Sequence, residues 1–332
     1  MRIIASANQK GGCGKTTTAI NLGSSLALKN QKILLIDFDP QAHASMGLDI
    51  KPSDLDKSMY DVMRPGGITS TGIEDILIPI KDNFDLAPSS AALSAVEQEL
   101  SGVDGRESML FNAIESLSKP YDFIIIDCPP SIGHLCFNAL RACNEVIIPI
   151  DMSLFSLRGV SKLLEIVIML QEKLGHDVRS RALITMYDVR TRYSRRVLEK
   201  VKEEFGENAY ETVIRYNIRL RETVDYGLPI GDYDKRSIGH KDYENLADEV
   251  LGTKADSMDE DSDSLKASYD ILQRTEEFMD VFVPSSTHDI PAPRVEEISN
   301  SAFEPSYSSI ADSIGADSTD SGYSFEDDME EY

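Results

Sequence analysis

Lys10-Gly11-Gly12-Cys13-Gly14-Lys15-Thr16-Thr17 stands between an apolar run, Ile3–Ala7, and a segment of helical period, Thr16–Lys29. A glycine-rich turn between a strand and a helix aims backbone N–H groups at phosphates, and the helix N-terminus adds its partial positive charge. Glycine is needed there because a Cβ would block close approach and because some positions require positive φ. The ordinary phosphate-binding pattern, G-x-x-x-x-G-K-[ST], would place its first glycine five residues before Gly14, where this chain has Gln9. The pattern present is K-G-G-x-G-K-[ST], with Lys10 as an additional cation at the loop's entrance. Lys15 is expected to contact the β- and γ-phosphates and Thr16 to set its hydroxyl on Mg2+. Gly11, Gly12, Cys13, Gly14 and Thr17 complete the cradle. Lys10 cannot readily bend back over phosphates in its own subunit, but it can reach those of a facing subunit and neutralise transition-state charge there.

Outward from the loop, short apolar runs alternate with helical segments as far as Leu251. That order predicts an α/β fold with a mostly parallel twisted sheet and helices on both faces. Strands are predicted at Ile3–Ala7, Lys32–Phe38, Phe84–Pro88, Phe123–Asp127, Glu145–Asp151 and Ala182–Tyr187. Helices are predicted at Thr16–Lys29, Leu157–Leu174, Ser194–Phe205 and Asp242–Leu251. Three strands run into carboxylates or turn signals: Asp37-Phe38-Asp39-Pro40, Asp127-Cys128-Pro129-Pro130 and Asp151-Met152-Ser153. In open α/β sheets ligands collect at the carboxyl ends of strands. Asp39 is therefore expected to orient an attacking water or hold the metal's hydration shell, and Asp127 to face Mg2+ through water. A lone aspartate in such a place is as readily a helix N-cap, but three such features in this order favour a site.

Asn8 through Thr17, then Asp37-Phe38-Asp39-Pro40-Gln41, then Asp127-Cys128-Pro129-Pro130-Ser131 resemble the three nucleotide motifs of the ParA/MinD branch of deviant Walker-A P-loop ATPases. The chain is most similar to the short, Soj-type ParA partition proteins. The likeness runs from Met1 to about Leu251 and includes Thr185-Met186-Tyr187-Asp188-Val189-Arg190-Thr191 and the stretch from Tyr233-Asp234 through Ser237, Gly239 and Tyr243 to Leu246-Ala247. It implies ATP and Mg2+ as cofactors, ATP hydrolysis, and an ATP-dependent sandwich homodimer in which Lys10 acts across the interface. It implies that Lys10, Lys15 and Asp39 are catalytic and that Thr16, Asp39 and Asp127 serve the metal. It further implies DNA binding without sequence preference by the ATP-bound dimer, a ParB-like partner that stimulates hydrolysis, and a cytoplasmic, nucleoid-associated location. The chain departs from the family pattern at Cys13, where valine is usual, at His43, often asparagine, and at Arg221-Glu222-Thr223-Val224, which replaces a Ser-Glu-Ala-Pro-like stretch.

A formal charge of -24 over 332 residues argues against a nucleic-acid partner until its distribution is seen. From Lys254 onward there are 21 Asp and Glu against 4 Lys and Arg, so -17 of the total lies in that stretch. Residues 1–252 are expected to form the ATPase domain. Residues 253–332, rich in Asp, Glu and Ser, are expected to be a disordered acidic tail, in which Ser264 to Val283 can form an amphipathic helix on meeting a partner. The densest positive run lies between Arg190 and Arg221, with nine cations against five glutamates. Lacking a base-reading motif, it suits phosphate-backbone contact. Arg190 and Arg219 lead by family position, with Arg192, Arg195, Arg196 and Arg221 in support. The plainer reading of the same run is a solvated helix face. A tethered polyanion of this size would compete with DNA for such a patch.

Cys13, Cys128, Cys136 and Cys143 show no paired spacing, which disfavours zinc, an iron–sulfur carrier and a disulfide scaffold and fits a reducing cytoplasm. Met1-Arg2 runs into Ile3-Ile4-Ala5 without a signal-peptide pattern, and no segment approaches a membrane span. A MinD-like membrane positioning factor would be expected to finish in a basic amphipathic helix, whereas this chain finishes acidic. A tyrosine autokinase would carry clustered tyrosines, and Tyr307, Tyr323 and Tyr332 are sparse. The cargo that is positioned is not specified by any of these features.

Overall fold

The computed structural model describes residues 1–66, 70–252 and 264–282. Its centre is a seven-stranded sheet formed by β1 (Arg2–Ser6), β2 (Ile33–Asp37), β3 (Ile78–Lys81), β4 (Phe84–Ala87), β5 (Phe123–Asp127), β6 (Glu145–Ile150) and β7 (Arg179–Ile184). The strand order is β3-β4-β2-β5-β1-β6-β7, and every pairing is parallel except the edge pair β3–β4. β2 and β5 are buried along their whole length, which is why they read as unbroken runs of Ile, Leu and Phe rather than as alternation.

The sheet sorts its side chains by pleat. Ile4, Ile33, Leu35, Ile125, Ile147 and Leu183 face one layer, which is covered by α1 (Lys15–Leu28) and α6 (Ile238–Gly252). Ile3, Ala5, Ile36, Ile124, Ile126 and Ile148 face the other. That layer takes α2 (His134–Ala142), α3 (Leu154–Leu174) and α4 (Arg192–Phe205). A further helix, α5 (Ile218–Tyr226), lies between β7 and α6 in sequence.

Three differences from the sequence expectations have physical causes. β3 carries Pro79 between two isoleucines, and proline is favoured on edge strands and at bulges; β3 is an edge strand whose register shifts between Pro79 and Lys81. β7 begins at Arg179 rather than Ala182 because Arg181 is buried in the strand with its guanidinium stacked 3.6 Å from the Tyr210 ring centroid; a charge at that position conceals the strand. The third difference concerns the boundary expected at residues 252 and 253. Ser264–Phe282 is a helix, α7, packed on α3 and α4 of the same chain.

On α7, Ser268, Ile271 and Thr275 are buried at three- and four-residue spacing, so one face meets the body. Gln171 Nε2 donates to Ser264 Oγ at 2.6 Å, and Arg274 Nη1 donates to the Glu204 carbonyl at 3.2 Å. α7 thus belongs to the same compact unit as the sheet. The sequence expects an amphipathic helix over this stretch on meeting a partner; here the stripe meets α3 and α4 of its own chain, a docking face that lies too far away in sequence to be read locally. The second unit, Ser286–Tyr332, and with it the rest of the expected acidic tail, lies outside the described residues.

Candidate nucleotide site and arginine cleft

The pairing of β1, β2 and β5 sets the carboxyl ends of three strands side by side: Asp37 is level with Asp127, and Asp127 with Ser6. The loop after β1 passes over this edge. Gly14 caps α1 with φ +95, a left-handed conformation that favours glycine, and an added Cβ would lie 3.7 Å from the Thr185 side chain. Thr185 Oγ1 donates to the Cys13 carbonyl at 2.8 Å and Ser6 Oγ donates to the Lys15 carbonyl at 3.1 Å. The loop is thereby tied to the ends of β7 and β1. Lys15 is buried, with Nζ donating to the Lys10 carbonyl at 3.1 Å.

Asp127 is fully buried, and both of its carboxylate oxygens lack a hydrogen-bond partner. Burial first, and the neighbouring Asp37 second, push its carboxyl well above the usual range; Thr16 and Lys15 pull the other way, the Thr16 hydroxyl standing near but outside hydrogen-bonding geometry. An unpartnered buried carboxylate costs several kcal/mol, on the order of the penalty for an isolated buried ion, unless a cation or proton compensates it. Two carboxylate oxygens beside a threonine hydroxyl make an all-oxygen donor set, the chemistry that suits Mg2+ and its waters.

Asp37 differs. Its oxygens accept from Ser45 N–H and Ser45 Oγ, each at 2.7 Å, and from Asp39 N–H at 3.3 Å. Burial still raises its carboxyl pKa, with the Ser45 hydrogen bonds opposing. Asp37 therefore shapes the turn that carries Asp39, which is 6% exposed and accepts from Gln41 N–H at 2.9 Å. The sequence pattern contains both aspartates; only the fold separates the one whose oxygens are occupied from the one left to face the cleft.

A cleft of about 780 Å³ opens over the loop, lined among others by Gly11, Gly12, Lys15, Thr16, Asp39 and Pro130. Met46, Val224 and Leu228 also line it and are exposed. Beside it, Gly14 and Thr17 form one wall of a small, mostly apolar pocket completed by Met186, Tyr216, Asn217 and Tyr243. Met186 and Tyr243 fall in stretches that resemble the family but carry no assigned role there, and Tyr216 and Asn217 carry no motif signal. Met186, a non-glycine residue with φ +54, turns the chain out of β7. All four cysteines are buried free thiols with pKa values raised by burial, so Cys13 is a packing residue of the loop.

The six candidate arginines do not form one surface. Arg190 and Arg219 line a shared cleft with Arg215 and Arg236, two cations the sequence patterns did not single out as candidates. Arg190 is 80% exposed and paired with Asp188, whose carboxyl it holds down to about 2. Arg219 pairs with Glu222 at 2.8 Å and reaches Asp234 at 3.7 Å. Arg221 turns elsewhere, its guanidinium over the Tyr216 ring, and lines the cavity beside the loop. Arg192, Arg195 and Arg196 are exposed on the first turns of α4. Arg215 is fastened to Asp242 through its side chain and through its backbone N–H.

A family model described as an AAA domain matches residues 1–180. The chain is 42% identical over 251 residues to the sporulation initiation inhibitor protein Soj of Bacillus subtilis (strain 168), which covers 75% of this chain and 98% of that protein. It is 38% identical over 252 residues to the chromosome partitioning protein ParA of Myxococcus xanthus (strain DK1622), covering 75% and 88%. Among solved structures, cobyrinic acid a,c-diamide synthase of Mycobacterium smegmatis with bound ATP analog and magnesium is 31% identical, covering 76% of this chain and 94% of that one, with a TM-score of 0.64.

Proposed function

Because the chain belongs to the AAA-domain family matched at residues 1–180 and, within it, to the ParA/Soj-type partition ATPases, we propose that it hydrolyses ATP to drive a cycle of dimerisation and DNA binding that moves a cargo. The observation that carries the reading is the Asp127 carboxylate, fully buried and unpartnered beside Thr16 and the phosphate loop. Thr16 and Asp127, with Asp39 at the cleft's edge, would hold a hydrated Mg2+. When bound, that ion neutralises phosphate charge. Gly11, Gly12, Cys13, Gly14, Thr16 and Thr17 offer backbone N–H groups and the α1 N-terminus to the phosphates, and Lys15 supplies the fixed cation. Asp39 orients the attacking water, and the apolar cavity beside Thr17 takes the base.

A second copy facing the cleft would cover Met46, Val224 and Leu228, three exposed apolar residues on its lining. It would also bring Lys10 of each subunit toward the other's phosphates. The Arg190 and Arg219 cleft supports contact with the phosphate backbone of DNA, with Arg192, Arg195 and Arg196 alongside; a ParB-like partner would stimulate turnover and release. No described helix is long and apolar enough to cross a membrane.

Three variants measured together test the proposal. Lys15→Ala loses ATP binding, Asp39→Ala binds ATP and dimerises but turns over at least about a hundredfold more slowly, and Arg219→Ala dimerises with ATP but loses DNA. Normal turnover in Asp39→Ala rules that carboxylate out as the group orienting the water, and normal DNA binding in Arg219→Ala rules that guanidinium out as a phosphate contact.

A further inference from the structure

Two loops lean over the nucleotide cleft from neighbouring strands, and one stretch of chain touches both. Asp39 follows β2 and Pro130 follows β5, and each lines the cleft. β4 pairs with β2 as far as Ala87, and the chain then runs into Ser89. Ser89 N–H donates to Ser45 Oγ at 3.1 Å, and Ser45 Oγ donates in turn to Asp37 Oδ2 at 2.7 Å. This end is thereby tied to the turn that carries Asp39. Two short helical turns, Ala91–Ala95 and Val96–Glu99, continue the stretch toward α2. Leu93, Val96 and Leu100 are fully buried in the same apolar layer as Leu135 and Cys136 of α2, so the stretch cannot shift without disturbing that layer. Glu97 meets the second loop. Its side chain lies against Gly133, the residue before α2, where an added Cβ would overlap Glu97 Oε1 and stand 2.8 Å from its Cδ. The contact is one of close packing, because Glu97 Oε1 is withdrawn from solvent and accepts no hydrogen bond. A buried oxygen left in this way opposes folding, and the partial positive charge of the α2 N-terminus offsets part of the cost.

We infer that residues 89–97 form a strut that holds the loop of residues 129–133 in register with the Asp39 turn, and that Glu97 is the positioning residue at its far end. The inference rests on the reading that this cleft hydrolyses ATP. Asp127 stands at the root of one loop and Asp39 in the other turn. A displacement between them spoils the alignment of metal, phosphate and water, while the phosphate cradle of residues 11–17 is left intact. Loss of the strut therefore lowers kcat and spares ATP affinity. Glycine is needed at position 133 for space and not for conformation, since its φ of -131 suits any residue. The side chain of Glu97 occupies the volume that a larger residue would take.

The test is steady-state ATP hydrolysis by the full chain, with ATPγS affinity and melting temperature measured in parallel, for wild type, Glu97→Ala, Glu97→Asp, Glu97→Gln, Gly133→Ala, Gln98→Ala and the double variant Glu97→Ala/Gly133→Ala. Glu97→Ala and Glu97→Asp withdraw the side chain from Gly133, and Gly133→Ala displaces it. Each lowers kcat by about tenfold and leaves the ATPγS dissociation constant within about twofold of wild type. Glu97→Gln, which keeps the shape, retains at least about half of kcat. Gln98→Ala, exposed on the same turn, changes nothing. The double variant is no worse than either single one, because the alanine methyl enters the space that Glu97 vacates. Unchanged kcat in Glu97→Ala or in Gly133→Ala overturns the inference. So do losses that multiply to about a hundredfold in the double variant, since the two residues would then not act through one contact. A fall in ATPγS affinity and melting temperature in step with kcat also overturns it, and makes Glu97 merely structural. A wild type without turnover refutes the ATPase reading and the strut with it, whereas turnover in wild type with full kcat in the variants refutes the strut alone. Should Glu97→Ala not fold, Glu97→Asp and Gly133→Ala carry the test.

Discussion

Replacing Ile271 by alanine separates a docked C-terminal helix from a loosely attached one. Ile271 lies at the centre of the buried stripe of α7, 2% exposed and packed into the same apolar layer as Leu163, Val167 and Val201. Thr275 beside it satisfies its hydroxyl on the Ile271 carbonyl at 2.8 Å, so the stripe contributes apolar contact without an orphaned polar group. Truncating a fully buried isoleucine costs about 2 to 4 kcal/mol through lost transfer energy and the cavity left behind. The cost that appears in global unfolding is capped by the docking free energy of the helix, because the helix can undock locally before the body unfolds. Two readouts are therefore needed: the urea midpoint of the body, and amide exchange within residues 264–276. Ile271→Ala lowers the midpoint or, at the cap, speeds exchange in α7 by at least about thirtyfold for a 2 kcal/mol loss. Asp270→Ala, on the exposed face, does neither. If the two variants behave alike in both measurements, α7 is not packed as described.

Other consequences follow from charges placed by the fold. Glu204 lies at the end of α4 with its side chain 1% exposed, both carboxylate oxygens without hydrogen bonds and Lys200 3.8 Å away; burial pushes its pKa up to about 7 against the opposing pull of Lys200. A carboxyl raised in the folded state contributes stability that is fully present below the unfolded pKa near 4.5 and is lost as pH rises through about 7. Glu204→Gln should accordingly stabilise the protein by about 1 to 2 kcal/mol at pH 8, with the difference shrinking toward pH 5; a pH-independent difference in urea midpoint contradicts the assignment. Residues 286–332 hold 12 Asp and Glu against one Arg, and their removal leaves α7 in place. That deletion should tighten DNA binding several-fold at low salt, an advantage that fades as the Debye length shortens; identical binding curves at low ionic strength exclude competition by the tail.

Much of the fold is legible in the sequence because it is written in local terms. The central strands are continuous β-branched runs, α1 and α4 have an evident period, and the phosphate loop must lie between a strand and a helix to work at all. Elements whose stability comes from distant partners are not legible in this way. Pro79 hides an edge strand, Arg181 conceals the start of β7 until Tyr210 is seen beneath it, and the stripe on α7 signals a helix but not the face of α3 it covers.

The same division holds at the site. The sequence by itself determined the chemistry on offer: a glycine loop with two lysines, a threonine, and aspartates at strand ends, because phosphate and magnesium binding demand those groups at nearly fixed spacing. Tertiary structure decided how each is used. Strand register sets Asp37 beside Asp127, yet Ser45 occupies one oxygen of the first and Asp39 N–H the other, while both oxygens of the second stay unpartnered. The same folding brings Asp151, 141 residues away in sequence, against Lys10. Hydrogen-bond satisfaction and ion pairing depend on which groups share a small volume, and that is settled only when the chain has packed.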